Sequence, residues 1–240
     1  MKITLTFFGF LFVNWAIAQI DSNLEWWSPT EHGFQVIEGQ AWFNELAAPY
    51  DRLPKRSANQ VAQNIWELSK HSAGLMIRFR SNAEEIKVRY NINDENLISL
   101  DHMPTTGVSG LDLYAINSDG MEVWCGADRI FGDTVTYAFL NLNANDGYHD
   151  RGREYRLYLP PYNQVTWMEV GVAKDVYFEP LPVRKEKPIV VYGTSIAQGA
   201  CTSRPGMAWT SILGRKMDRP LINLGFSGFG IFDVHLIELM

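Results

Sequence analysis

The feature that most constrains this 240-residue chain is a change in the period of its apolar residues near residue 180. Before it, apolar and polar side chains alternate one by one. Leu75, Ile77 and Phe79 alternate with Met76, Arg78 and Arg80, and Ile86, Val88, Tyr90 and Ile92 with Lys87, Arg89 and Asn91. A period of two places every apolar side chain on one face of an extended strand, so these segments read as half-buried antiparallel strands. Leu111 to Ile116 and Met121 to Trp124 flank Asn117-Ser118-Asp119-Gly120, the pattern of a hairpin. Tyr155, Leu157 and Leu159 alternate again, and Val165 to Ala173 forms a further strand. Many short strands with little helical periodicity predict an all-β, jelly-roll-like sandwich.

After Pro182 the pattern changes. Arg184-Lys185-Glu186-Lys187 is charged and linker-like, and Pro188 to Tyr192 is a continuous apolar run, as expected for a parallel strand buried on both faces. Met207 to Met217 has helical spacing, Leu221 to Leu224 is a second short strand, and Ile231 to Met240 begins another helix. Strand, helix, strand, helix is the opening of a doubly wound, flavodoxin-like α/β domain. The expected division is a signal segment over 1–18, a sandwich over 19–182, a linker over 183–187 and an incomplete α/β domain over 188–240.

The signal segment rests on Lys2, the apolar run Phe7 to Val13 and Ala16-Ile17-Ala18, with cleavage expected before Gln19. The run is shorter than the roughly 20 residues that span a bilayer, so the expected product is secreted or periplasmic with no membrane span. A net charge of -6 without clustered Lys or Arg argues against nucleic acid as a partner. The oligomeric state is not legible. Two cysteines, Cys125 and Cys201, cannot form a disulfide framework, although one bridge between them stays open. His32, His71, His102, His149 and His235 show no ligand spacing with them, so no metal and no cofactor is expected.

Gly193-Thr194-Ser195-Ile196-Ala197-Gln198-Gly199 lies at the carboxyl end of the first buried strand, the edge where open α/β sheets gather catalytic groups. Ala197 breaks the G-x-S-x-G elbow, and Ala200 after Gly199 breaks a phosphate loop. Asn223-Leu224-Gly225-Phe226-Ser227-Gly228-Phe229-Gly230 follows the second strand, so Gly228 is placed to bring a second N–H to the same point as Ser195.

Gly193-Thr194-Ser195 with Gly199, and Asn223 through Gly228, resemble the first two blocks of the SGNH (GDSL-type) hydrolases. Ser109-Gly110-Leu111-Asp112-Leu113-Tyr114 resembles the G-x-D-L-Y signature of the β-sandwich that precedes the hydrolase in one bacterial subgroup. Arg52-Leu53-Pro54 and His71-Ser72-Ala73-Gly74-Leu75 fit the same subgroup. The resemblance implies that Ser195 is the nucleophile, that Ser195 and Gly228 donate oxyanion N–H groups, and that the substrate is an acylated, chiefly acetylated, carbohydrate. Thr194 stands where the family name has Asp. The family's third block, which supplies an Asn, and its last block, D-x-x-H, have no counterpart here, so the chain reads as truncated and, alone, inactive.

Asp233-Val234-His235 has the wrong spacing and is expected to be a solvent-facing polar pair on a helix. His102 and His149, beside Asp101 and Asp150, belong to the sandwich. Ile189, Val190, Val191, Leu221, Ile222 and Leu224 are expected to keep open edges and uncovered faces, leaving the sandwich as the only part to fold well alone. Trp26, Trp27, Trp42, Trp66, Trp124 and Trp167 fit a sugar-stacking surface or a β core, with the core as default. The alternative function is a non-catalytic carbohydrate-binding or vestigial protein that uses the sandwich alone.

Overall fold

A computed structural model describes residues 23–94, 96, 98–128, 134–142 and 151–240. The signal segment, Gln19, His149 and Asp150 lie outside the described residues. The fold is mixed and sheet-rich. Its strands are β1 (Leu24–Trp27), β2 (Ile37–Glu38), β3 (Met76–Ser81), β4 (Ile86–Ile92), β5 (Asp112–Ile116), β6 (Glu122–Gly126), β7 (Val135–Phe139), β8 (Arg153–Tyr158), β9 (Val165–Ala173), β10 (Phe178–Pro180), β11 (Ile189–Gly193) and β12 (Leu221–Gly225). Its helices are α1 (Gln63–Leu68), α2 (Thr105–Val108), α3 (Ser195–Gln198), α4 (Trp209–Met217) and α5 (Val234–Leu239).

Antiparallel pairing links β1-β9-β4-β7 in one sheet and β10-β3-β8-β5-β6 in another, with β2 on β3. β4 follows its alternation without a break, each odd position buried from Ile86 to Ile92. Those side chains meet Ile77, Phe79, Leu113, Tyr155 and Leu157 of the other sheet in one apolar cluster. Burial of this kind contributes about 25 cal/mol per Å² of apolar area and is the main favourable contribution here. Met76 departs from the alternation because it packs outside that cluster, with Tyr114 and Tyr158.

β11 and β12 pair in parallel, from Ile189↔Leu221 to Gly193↔Gly225, so the two strand ends do lie side by side. Burial of the pair differs from expectation. β12 is covered: Leu224 and Phe226 are buried with Leu53, Val61, Ile65 and Leu236 in a second apolar cluster. The cover comes from Ile65 of α1 and from Leu53 and Val61 on either side of a 3-10 turn at Lys55–Asn59, helical pieces in the first region that alternation did not reveal. β11 is the uncovered strand, with Val190 half exposed rather than buried on both faces.

The charged stretch after Pro182 is anchored. Arg184 Nε donates to Glu38 Oε2 at 3.0 Å, and Arg184 Nη1 donates to Asp218 Oδ1 at 3.0 Å. The helix expected from Met207 opens as a 3-10 turn at Pro205–Met207 and continues as α4. α5 starts at Val234, three residues later than the apolar spacing suggests, because Asp233 caps it and accepts from the Leu236 N–H at 3.0 Å. Asp233 is therefore not a solvent-facing partner of His235. Its other oxygen accepts from the Ala62 N–H at 3.0 Å, tying α5 to the start of α1.

Candidate active site

Ser195 is the first residue of α3, two positions past the end of β11. Gly228 lies in the turn that follows β12 at the same carboxyl edge. The two loops are tied together: the Phe226 N–H donates to the Gly193 carbonyl at 2.8 Å. Gly225 lets β12 press against α3, since a Cβ there would lie 2.1 Å from the Gln198 nitrogen. Gly228 has open space around it but a φ of +76°, a left-handed conformation that a side chain resists. Among the described residues, neither the Ser195 N–H nor the Gly228 N–H has a hydrogen-bond partner, and the Ser195 hydroxyl has none. A partly buried serine and two N–H groups without a partner, on neighbouring loops at one sheet edge, are components that an oxyanion hole requires.

Much of the support for this edge comes from residues far away in sequence. Arg52 is 1% exposed and, among the described residues, has no carboxylate partner. Its Nη1 donates to the carbonyls of Asn223 and Gly225 at 2.9 Å each, its Nη2 to Leu68 and its Nε to His71. The guanidinium also lies 4.8 Å from the Phe226 ring centroid. Burial lowers the Arg52 pKa to about 9, which leaves it charged at neutral pH. Asn223 adds a local brace, donating to the Ala197 carbonyl and accepting from the Gly225 N–H, each at 2.8 Å.

The G-x-D-L-Y segment has a structural role that the motif alone did not disclose. Asp112, fully buried, accepts from the Gly206 N–H at 3.0 Å and from Trp124 Nε1 at 2.6 Å. Arg204 pairs with the same carboxylate at 3.2 Å. A Cβ on Gly206 would lie 2.4 Å from the Tyr114 ring, so the segment leading into α4 fits only with glycine there. Burial pushes the Asp112 pKa up to about 6, against the opposing Trp124, Arg204 and Gly206 contacts. Asp112 thus latches the first region to the loop beyond Ser195.

No described histidine hydrogen-bonds to Ser195. His102 and His235 are exposed, and His235 pairs with Glu238 at 3.4 Å. His32 accepts from Trp27 Nε1 at 3.3 Å, and His71 contacts Gln198 at 3.1 Å. Cys125 and Cys201 are both free thiols, and burial raises the Cys125 pKa to about 11. The described residues hold no group of three or more His, Cys, Asp or Glu fit for a metal ion, and no helix long and apolar enough to cross a membrane.

The tryptophans of the first region lie outside the fully buried core, and four have a cation over the ring, Arg89 serving both Trp26 and, at 5.6 Å, Trp167. Arg89 lies 4.0 Å from the Trp26 centroid, Lys70 3.8 Å from Trp66 and Arg204 4.4 Å from Trp124. Trp27, Trp42 and Trp66 are partly buried against the two apolar clusters, and Trp124 is 49% exposed.

Comparison with known proteins agrees with the geometry. The model of the GxDLY N-terminus of SGNH-hydrolase-type esterases matches residues 24–178, well over half of the chain. The GDSL-like lipase/acylhydrolase family model matches residues 186–240. A crystal structure from Bacteroides ovatus ATCC 8483, assigned as a GDSL-like lipase, is similar at a TM-score of 0.75 and 30% identity over 87% of this chain. The salicylyl-acyltransferase SsfX3 from a tetracycline biosynthetic pathway shares the fold at a TM-score of 0.62 and 18% identity, again over 87% of this chain. The chain spans 58% and 55% of those two structures. No curated protein matches. The chain belongs to the family of SGNH-hydrolase-type esterases that carry the GxDLY N-terminus.

Proposed function

We propose that this protein is a secreted serine esterase that removes small acyl groups, acetyl foremost, from carbohydrate, with Ser195 as nucleophile. The observation that carries the reading is that a partly buried Ser195 and two N–H groups unpartnered among the described residues, its own and that of Gly228, lie on neighbouring loops at one sheet edge. In the reaction, Ser195 Oγ attacks the ester carbonyl and loses its proton to a base. The tetrahedral oxyanion is held by the two N–H groups, the alcohol leaves with a proton, and water releases the acyl group from Oγ.

This reading assigns the general base, its orienting acid and a third oxyanion donor to residues outside the 240, since no block here matches the family's Asn or D-x-x-H. It treats the first region as a jelly-roll-like sandwich over 19–182 and residues 188–240 as the opening of a flavodoxin-like hydrolase domain. Export after cleavage before Gln19 suits a polymeric substrate.

The test is hydrolysis of a chromogenic acetate and of acetylated polysaccharide by protein of the relatives' length. Ser195→Ala is expected to lower kcat on the order of 10⁶-fold with folding unchanged. Activity that survives the substitution places the nucleophile elsewhere.

A further inference from the structure

We propose that Gln198 is a positioning residue that orients the Ser227–Gly228 turn from below, so that the Gly228 N–H is left free to face the reacting oxygen. The proposal rests on the nucleophile reading above and adds a residue to it.

Gln198 is fully buried, three positions after Ser195 on α3, and its side-chain amide joins three separate segments. Oε1 accepts from the Ser227 N–H at 2.8 Å. Nε2 donates to the Pro161 carbonyl at 2.9 Å and lies 3.1 Å from His71 Nδ1. These partners determine which way the amide points. A backbone N–H only donates and a carbonyl only accepts, so Oε1 must face Ser227 and Nε2 must face Pro161. The second Nε2 hydrogen then meets His71 Nδ1, which has to be a bare acceptor, with the ring proton on Nε2. Burial and the nearby Arg52 guanidinium lower the His71 pKa to about 4, which keeps the ring in that neutral form.

Consecutive N–H groups in a turn cannot be rotated independently. The Ser227 N–H belongs to the 226–227 peptide, so its bond to Gln198 fixes that plane, and the Gly228 N–H in the next plane can turn against it only through the two backbone torsions of Ser227. The carbonyl side of the same turn is held by the Gly230 and Phe229 N–H groups, which both donate to the Phe226 carbonyl at 2.9 Å. Tyr162 donates to the Ser195 carbonyl at 3.3 Å, bracing α3 from the same wall. Pro161, Tyr162, His71 and Arg52 all come from the first region. That region therefore forms part of the oxyanion machinery through Gln198.

Gln198→Met keeps length and volume but has neither acceptor nor donor. Gln198→Glu, fully buried and therefore held protonated, keeps an oxygen for the Ser227 N–H and an O–H for the Pro161 carbonyl, with His71 moving its proton to Nδ1. Amide exchange of the 240-residue chain, followed by NMR, reads the brace directly. Gln198→Met is expected to speed exchange at Ser227 by at least about tenfold, and Gln198→Glu to restore protection. A fluorophosphonate probe applied to protein of the relatives' length reads the consequence: Ser195 Oγ bonds to phosphorus, fluoride leaves, and the hydroxyl proton passes to the general base. Removing one oxyanion donor lowers such rates about 10²–10³-fold, so labelling, measured well below each variant's melting temperature, should fall by that order in Gln198→Met and recover in Gln198→Glu.

Unchanged Ser227 exchange in Gln198→Met overturns the proposal, as does lost labelling that Gln198→Glu fails to rescue. The nucleophile reading fails separately, when Ser195→Ala still takes the probe. The exchange measurement continues to judge the brace in that event.

Discussion

Val88 and Val190 are the same residue on β4 and β11, yet Val88 is fully buried and Val190 is 50% exposed. The contrast extends to their regions. From β1 to β10 two sheets supply each other's cover, and β4 alternates without fault. From β11 onward, two strands share one pairing, and the cover for β12 comes from Leu53, Val61 and Ile65 of the first region. Of the seventeen large apolar side chains exposed among the described residues, eleven lie between Val190 and Met240. An apolar strand states its need for cover without naming the supplier. The first region meets that need internally, while the second borrows from Arg52, α1 and the Asp112 latch.

The largest effect should come from cutting that borrowed support. Arg52→Met removes the side-chain donor from four carbonyls, those of Asn223 and Gly225 buried and those of Leu68 and His71 partly buried. One unpaired buried acceptor costs about 1–3 kcal/mol, and relief of charge burial offsets part of the sum, so a net loss of about 4 kcal/mol is expected. Amide exchange should locate the loss in residues 188–240, leaving β3, β4 and β9 protected. Equal loss in both regions breaks the comparison.

Acid should then act across the same interface. The folded His71 pKa of about 4 lies below its unfolded value of about 6.5. Between those values the unfolded chain binds the proton and the folded chain does not. Stability on this account is full above about pH 6.5 and is lost as pH falls toward 4, by up to about 3 kcal/mol. Urea titrations at pH 7 and pH 4.5 should show this decline in the wild type and a smaller one in His71→Gln. Parallel declines would remove His71 as the cause.

A matched pair tests the contrast between regions directly. Val88→Ala should cost about 2–3 kcal/mol, from lost burial and a residual cavity, whereas Val190→Ala should cost about 0.5 kcal/mol or less. Similar costs would mean that β11 is covered in solution. The smallest effect belongs to Phe232, 81% exposed and held at a φ of +58°. Phe232→Asn suits that backbone and should leave stability within about 0.5 kcal/mol while reducing self-association in sedimentation.

Local pattern determined the local facts about this protein. Strict alternation over Ile86–Ile92 indicates a strand because a period of two can satisfy only one buried face. The glycines around Ser195 and Gly228 are legible because tight turns after strands require them. The short 3-10 turn at Lys55–Asn59 and α1 were not legible, being too brief to repeat a helical period. The supporting contacts were legible only as residue names. Arg52 reaches Gly225 across 173 positions, Gly206 reaches Asp112 across 94, and Gln198 reaches His71 across 127. Arg52 and Gln198 act on carbonyls and N–H groups that every residue carries, so no complementary side chain in the sequence marks their partners. Side-chain spacing sets which face of an element is apolar, and tertiary structure decided which distant backbone groups would meet that face and need satisfying.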